Sequence, residues 1–263
     1  MTKVAAEVTR FHTRLLKCDL CTDECRAYWQ HASQEGFTPD PETAFSEYWF
    51  GARSLPRVRM LLAALRERFD LWPEALEVLA AWPSMTVATR RAICHWHLQL
   101  ADPLYRKFTG VCLPQRRAAG KLVIRRTSVV QWIDQVCPAR WQISTRIQFT
   151  RKLIHSAEQA GLLVVGDDAV EIQTMRVDDV SLTYLMYLLR CTQFAGTLLQ
   201  NPYVASLGLD ADEIVARLRR IPAIGFQRQS GLQEFNWQYD SLAHWARAGG
   251  LPASGSAITG EVA

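Results

Sequence analysis

Hydrophobic residues recur every three or four positions through the first hundred residues, a spacing typical of helices that bury one face. The spacing predicts a first helix over residues 2–35, followed by a break at Gly36–Pro41 and an aromatic run that includes Trp49. Prolines suit the first turn of a helix. Further helices are predicted at 56–69, 74–82 and 86–100. No strand pattern interrupts this region, so we expect a helical bundle over residues 1–100.

The pattern changes after Asp102-Pro103. A short helix at 104–108 precedes a β-rich run, Leu122–Ile124, and then two helices, one from a Thr127 or Ser128 cap to Cys137 and one over Arg146–Ala160 with Ser144 or Thr145 as its cap. Two short apolar runs, 162–165 and 169–172, flank Gly166-Asp167-Asp168 and predict a hairpin. Strand, helix, helix and hairpin in this order indicate a winged-helix-like module over residues 101–175.

A weaker copy of this layout follows over residues 176–248. It comprises predicted helices at 181–194 and 210–220, a hairpin at 224–237 with Ser230-Gly231 at its turn, and a closing helix at 239–247. Gly, Ala and Ser dominate from Gly249 onward, which predicts a disordered tail over 249–263. The fold class expected is mainly α, with a helical bundle followed by one or two winged-helix-like modules.

Composition narrows the class of protein. Hydrophobic residues make up 49% of the chain and charged residues 21%, as in globular proteins. The first ten residues lack the apolar run of a signal peptide, and no apolar stretch reaches the roughly 20 residues of a membrane span. We therefore expect a cytoplasmic protein without membrane contact, whose seven cysteines are reduced.

Positive charge is concentrated in one segment. Residues 116–152 hold nine basic residues and a single acid, Asp134, so the segment carries +8 while the whole chain carries +4. A cationic face on an otherwise acidic scaffold is typical of nucleic-acid binding. With two polar residues of the 146–160 helix added, the candidate DNA-binding residues are Arg116, Arg117, Lys121, Arg125, Arg126, Arg140, Arg146, Gln148, Arg151, Lys152 and His155.

The same charge has two other interpretations. One is a solvated surface. The other is a docking face for an acidic protein partner, since winged helices also serve as protein-interaction modules. The preferred interpretation is contact with DNA, with glutamine and arginine at base edges and the other cations at phosphates.

The cysteines at 18, 21 and 25 suggest a metal site, with His12 and His31 nearby. No second ligand pair stands close in the sequence, and the three positions share one face of the predicted first helix. Cysteine is commonly buried as a small apolar residue. We expect core packing here, with no metal and no cofactor.

Motifs of enzymes are missing from the sequence. It contains no glycine-rich phosphate loop, nucleophile elbow, zinc-protease helix or dinucleotide fingerprint. His95-Trp96-His97 is unsuited to metal binding on a helix, because adjacent side chains point about 100° apart. We expect structural histidines and a protein that is not an enzyme.

Three stretches resemble one known family. They are Asp102–Phe108, the run from Trp141 to Thr145 that leads on to Gly161-Leu162-Leu163, and Tyr184–Arg190. Over residues 50–245 they look like the BrxA-like family of the bacterial BREX phage-defence systems. The resemblance implies a helical protein that binds DNA, and it transfers no site residue.

The leading hypothesis is a non-enzymatic DNA-binding component of a bacterial defence or regulatory system. The main rival is an adaptor that uses the same module to join other proteins of a defence complex. A third possibility is a metal-dependent factor built on the amino-terminal cysteines.

Overall fold

The computed structural model describes residues 5–32, 39–82, 84–166, 169–229 and 232–252 and shows a mainly helical chain with a few short strands. The helices are α1 Thr22–Ala32, α2 Pro41–Ser46, α3 Leu55–Phe69, α4 Pro73–Ala80, α5 Val87–Ala101, α6 Pro103–Lys107, α7 Leu113–Ala118, α8 Arg126–Val136, α9 Ile143–Gln159, α10 Asp179–Arg190, α11 Pro202–Ala205, α12 Ala211–Arg220 and α13 Leu242–Trp245. The strands are β1 Ala5–Ala6, β2 Val123–Ile124, β3 Leu163–Val165, β4 Val170–Ile172, β5 Thr192–Gln193, β6 Ile224–Gln229 and β7 Leu232–Trp237. A 3-10 turn covers Arg14–Leu16, and π-helical turns cover Phe108–Cys112 and Ala246–Gly250.

Two helices at the centre, α5 and α10, carry the core. Each buries nine consecutive residues, 92–100 in α5 and 181–189 in α10, and the two helices contact each other. A helix that is buried all round belongs to the interior and not to the surface. The buried apolar residues from Leu15 to Trp245 form one continuous cluster around this pair.

The two buried histidines of α5 both have hydrogen-bond partners. The His95 ring nitrogens lie 2.9 Å from the Tyr105 and Ser206 hydroxyls. The His97 Nε2 lies 2.7 Å from the Tyr184 hydroxyl, and its Nδ1 lies 3.3 Å from a backbone oxygen of α3. Burial lowers the pKa of both imidazoles to about 3, so both are neutral in the folded protein.

The start of the chain differs from the predicted helix over 2–35. Ala5–Ala6 pairs in parallel with Thr192–Gln193, and the regular helix is confined to α1. The Arg106 guanidinium fixes the segment between β1 and α1 by donating to the Val8 backbone oxygen at 2.7 Å and by pairing with the partly buried Glu7 carboxylate at 3.2 Å. These long-range bonds replace the helical ones, which is why a helix-like spacing here does not produce a helix.

Residues 123–172 form a unit of strand, two helices and hairpin. The three strands lie in the order β2-β4-β3, all antiparallel, and α8 packs against α9. Both helices begin earlier than predicted, with Arg125 and Gln142 at the N-cap positions instead of the expected Ser or Thr residues. Ile124 is buried in the sheet, and only the N-cap residue Arg125 separates it from α8. The helix therefore begins immediately after the strand.

The predicted second copy is less complete. Helix α10 ends at Arg190 and not at Phe194, because Thr192–Gln193 pairs with β1. Strands β6 and β7 pair with each other, and no third strand joins them among the described residues. The closing helix is shorter than predicted, and the chain is described as far as Pro252, whose oxygen accepts a bond from Ser84.

Several predictions fall on residues that the structure does not describe. They concern the end of the first helix and part of the break after it (33–38), the turn residues Asp167-Asp168 and Ser230-Gly231, and the tail from 253 onward.

A π-helical turn joins α6 to α7 and meets α11 at very close range. A β-carbon built on Gly110 would lie 2.4 Å from both the Cβ and the oxygen of Pro202, a contact that real side chains do not make. Gln99 bridges the same junction by donating to the Thr109 hydroxyl at 2.9 Å. The glycine is therefore needed for the approach of two helices and not for a turn.

We expect Gly110→Ala to lower the free energy of unfolding by roughly 1–3 kcal/mol, although alanine is the better helix former. The added methyl group has to displace the backbone of α11, which lies against the core. Chemical denaturation of the two proteins measures the difference. An alanine variant as stable as the wild type would contradict the close approach.

We expect the stability to fall with pH below about 6.5, because His95 and His97 then take up protons only in the unfolded chain. The loss of unfolding free energy is about 1.4 kcal/mol per pH unit for each histidine. It ends below pH about 3, which is the pKa of both histidines in the folded protein. His97→Gln removes one of these groups. The difference in the free energy of unfolding between the wild type and this variant, measured with urea, should therefore be about 2–3 kcal/mol smaller at pH about 4.5 than at pH 7. A constant cost would contradict the buried neutral histidine.

Candidate nucleic-acid interface

One face of α9 is exposed, and it carries polar side chains together with the exposed Ile143 and Ile147. Gln148, Arg151 and His155 all lie on it, while Phe149 and Leu153 are buried on the opposite side. The spacing of three and four residues places the exposed side chains in one stripe along the helix. The sequence-predicted trio is therefore brought together on an accessible surface.

Five of the nine predicted cations have partners within the protein. Arg116 and Arg117 donate to the backbone oxygens of Val123 and Gln173, and Arg146 pairs with Asp134. Burial also lowers the pKa of Arg117. These three side chains support local structure, so less of their charge is available to a ligand.

Arg140 and Lys152 reach further along the chain. Arg140 donates to the Phe11 oxygen at 2.8 Å, with its guanidinium 5.5 Å from the centre of the Trp141 ring. The Lys152 ammonium lies 2.7 Å from the Asp19 carboxylate. Each bond ties the unit of residues 123–172, which we call the basic unit, to residues near the start of the chain. Asp19 has no signal in the sequence that would single it out as the partner of Lys152.

The side chains of the other four cations have no hydrogen bond or ion pair with any residue that the structure describes. Lys121, Arg125 and Arg126 are exposed where the chain enters β2 and α8, and Arg151 is exposed at the middle of α9. We call these four residues the free cations. Unpaired surface charges of one sign, three where the chain enters α8 and one on α9, favour a polyanionic ligand.

The amino-terminal ends of α8 and α9 are also left positive. Neither helix has a side-chain cap or an acidic residue in its first turn, whereas α10 and α12 begin with capping aspartates and further acids. Arg125 and Arg126 add charge to an end that is already positive, which is unfavourable for the helix. Free amide groups and a positive dipole at such an end attract phosphate.

The hairpin differs from the helices in charge. Its exposed residues include Val164 and Glu171, and Glu171 pairs across the sheet with both Val164 and Val123. Strands β3 and β4 carry no basic residue, and the turn between them contains Asp167 and Asp168. Phosphate contact through this hairpin is therefore disfavoured.

The amino-terminal cysteines surround a buried arginine. Cys25 Sγ lies 3.4 Å from Arg68 Nη1, and Cys18 Sγ lies 3.7 Å from Nη2. Cys18 and Cys21 precede α1, so the expected shared helix face is wrong, although all three cysteines are buried. A fixed guanidinium among the sulfur atoms disfavours a second cation, and no group of three potential metal ligands occurs within the described ranges.

Comparison with known proteins identifies a shared fold and no family. A crystal structure of an uncharacterized protein from Magnetospirillum magneticum superposes with a TM-score of 0.55 at 15% identity, covering 70% of this chain and 98% of the other. No protein-family model matches the sequence, and no curated protein matches it. Within the described part of the chain, no helix is long and apolar enough to span a bilayer.

Lys152 and Arg151 are neighbours on α9, so a cation with a partner can be compared directly with one that has none. We expect Lys152→Ala to cost roughly 0.5–2 kcal/mol of stability, because it leaves the half-buried Asp19 carboxylate without its cation. Arg151→Ala, one residue away, should change stability by less than about 0.5 kcal/mol. Denaturant unfolding of both variants measures this contrast, and equal effects would contradict the assignment.

Proposed function

We propose that the protein is a non-enzymatic DNA-binding component, with its binding face on α8 and α9. The observation that carries the proposal is the group of three free cations at the uncapped start of α8, with the fourth, Arg151, exposed at the middle of α9. Phosphates lying along this face would meet both unpaired side chains and free amide groups.

A winged-helix reading of residues 123–172 supports the proposal. The first strand pairs with the last, and two packed helices lie between the first strand and the hairpin. In such modules the second helix enters the major groove. In this proposal that helix is α9, with Gln148, Arg151 and His155 facing base edges and the other free cations facing phosphates.

The salt dependence of binding follows from the number of free cations. If each of the four neutralises one phosphate, the logarithm of the affinity falls with the logarithm of salt concentration at a slope of about −3.6. Affinity for duplexes of random sequence would therefore be strongest at low salt. Paired cations such as Arg146 would add little to the slope.

We place this component in a bacterial phage-defence or regulatory system. The support is the resemblance of residues 50–245 to the BrxA-like family, together with a binding face suited to duplex DNA. A gene for a methyltransferase and one for a large ATPase next to this gene are the expected genomic context. A neighbourhood without any defence gene would argue against this part of the proposal.

One observation favours an adaptor as the second candidate. The outer face of the three-stranded sheet exposes Val123 and Val164 on either side of Glu171, and Leu122 is exposed directly before β2; each of the three apolar residues is about half accessible to solvent. Apolar side chains grouped on a surface suit a protein partner better than a nucleic acid. This face is formed by the sheet and not by α9, so the two candidates involve different surfaces of one unit.

We expect Arg151→Ala to weaken binding to a random-sequence duplex several-fold and to reduce the salt slope by about 0.9, since one phosphate contact is lost. Fluorescence anisotropy between about 50 and 200 mM salt measures both quantities. Lys121→Ala/Arg125→Ala/Arg126→Ala should reduce the slope by about 2.7. The control is Arg219→Ala, an exposed arginine of α12, which should bind as the wild type does.

Two results would oppose the proposal in different ways. Unchanged affinity in both variants would reject the position of the face while leaving DNA binding in place. No binding of the wild type at about 50 mM salt would reject DNA binding itself and favour the adaptor.

A further inference from the structure

Two thiols lie side by side in the buried loop that precedes α1. The Sγ atoms of Cys18 and Cys21 are 3.7 Å apart, and the two residues are 2% and 8% exposed. Only two residues separate them in the chain, so a bond between the sulfur atoms would close a very short loop. Cys25 also lies near, but its Sγ is directed to the Leu20 oxygen at 3.5 Å and to Arg68.

The two thiols have opposite electrostatic surroundings. The Cys21 side chain and the Arg68 guanidinium lower the pKa of Cys18 to about 7, against the opposing effect of burial. The neighbouring Cys18 and burial raise the pKa of Cys21. One sulfur is thus favoured as a thiolate while the other keeps its proton, which is the division between an attacking and a resolving thiol.

Arg68 is suited to hold a thiolate, because it is buried without a carboxylate partner. It donates to the backbone oxygen of Asp19 at 2.8 Å and to the backbone oxygen of Leu20 at 3.0 Å. No carboxylate of the described residues lies within ion-pair distance of it. Its charge is permanent. The sulfur of Cys18 is therefore the group beside it that is able to balance that charge by ionising.

The backbone of the loop is held for the same geometry. Cys21 has a φ of +49°, which is unusual for a residue with a side chain. Its oxygen accepts the first helical bond of α1 from the Cys25 amide at 2.8 Å. Such strained positions concentrate at functional sites. Cys18 also lines a small surface cavity whose edge includes the exposed pair Arg14 and Glu67, a route for a reagent as small as peroxide.

We propose that Cys18 and Cys21 form a redox site that a small hydroperoxide, such as hydrogen peroxide, oxidises to a reversible disulfide. The Cys18 thiolate attacks one peroxide oxygen, the O–O bond breaks, and the hydroxide that leaves takes up a proton to give water. The resulting sulfenic acid is attacked by Cys21, which loses its proton as the S–S bond forms and a second water leaves. Two thiols lose two electrons and the peroxide gains them.

Closing the disulfide changes the loop that holds α9. A disulfide is about 2.05 Å long, so the sulfur atoms must approach by roughly 1.6 Å. Oxidation also removes the Cys21 thiol that lies 3.1 Å from the Asp19 carboxylate, the partner of Lys152. The redox state of the pair therefore alters the surroundings of the ion pair that joins the loop to α9.

Peptide mapping of the native full-length protein tests the proposal. The protein is treated with dilute hydrogen peroxide, alkylated after unfolding and cleaved with trypsin, which releases residues 18–26 as one peptide. The expected peptide carries one alkyl group, on Cys25, and a Cys18–Cys21 link. Dithiothreitol before alkylation should restore three alkyl groups.

Three variants assign the roles. Cys25→Ser, the matched control, should keep the link. Cys21→Ser should lose it and accumulate a Cys18 sulfenic acid that dimedone traps, whereas Cys18→Ser should give neither product. Circular dichroism checks that each variant is folded.

The wild-type peptide alone is able to overturn the proposal. Three alkylated cysteines after peroxide treatment, or a link that includes Cys25, would reject the assigned pair. This result does not depend on whether any variant folds.

Discussion

The buried guanidinium of Arg68 is the constraint on which the amino-terminal part of the structure depends. A cation removed from water must keep its hydrogen bonds, because leaving one unsatisfied is costly. Arg68 keeps them by donating to two successive backbone oxygens, those of Asp19 and Leu20. The loop before α1 is therefore fixed in position although it contains no regular secondary structure, and the cysteines of this loop are held around the same charge.

That loop extends the constraint to the basic unit. Asp19 pairs with Lys152 of α9, and Arg140 donates to the backbone oxygen of Phe11, so two predicted DNA-binding residues instead anchor the unit to the start of the chain. The remaining charge is carried by residues without such partners, among them Arg126 and Arg151. Charge on the unit thus has two roles, one in holding the fold together and one at the surface.

Local signals in the sequence were sufficient for much of the fold. Proline and aspartate mark the start of α4 and α6, and alternating apolar residues with a glycine turn mark the β6–β7 hairpin, because these preferences act within a few residues. The opening segment was mispredicted, since its conformation depends on Arg106 and on strand β5, both far along the chain. The candidate face was predicted as a charged region, but the sequence could not separate paired from free cations, because each pairing depends on an acid or backbone oxygen that only the fold brings near.

The parallel pairing of Ala5–Ala6 with Thr192–Gln193 has a consequence for the order of folding. During synthesis Ala5–Ala6 is made long before Thr192–Gln193, because the chain grows at about 5–20 residues per second. Closing a loop of this length is slow, since its entropy is lost before the contacts form. The earlier strand is thus among the last parts to be fixed, and the nascent chain exposes it to chaperones and proteases for at least about ten seconds before its partner is made.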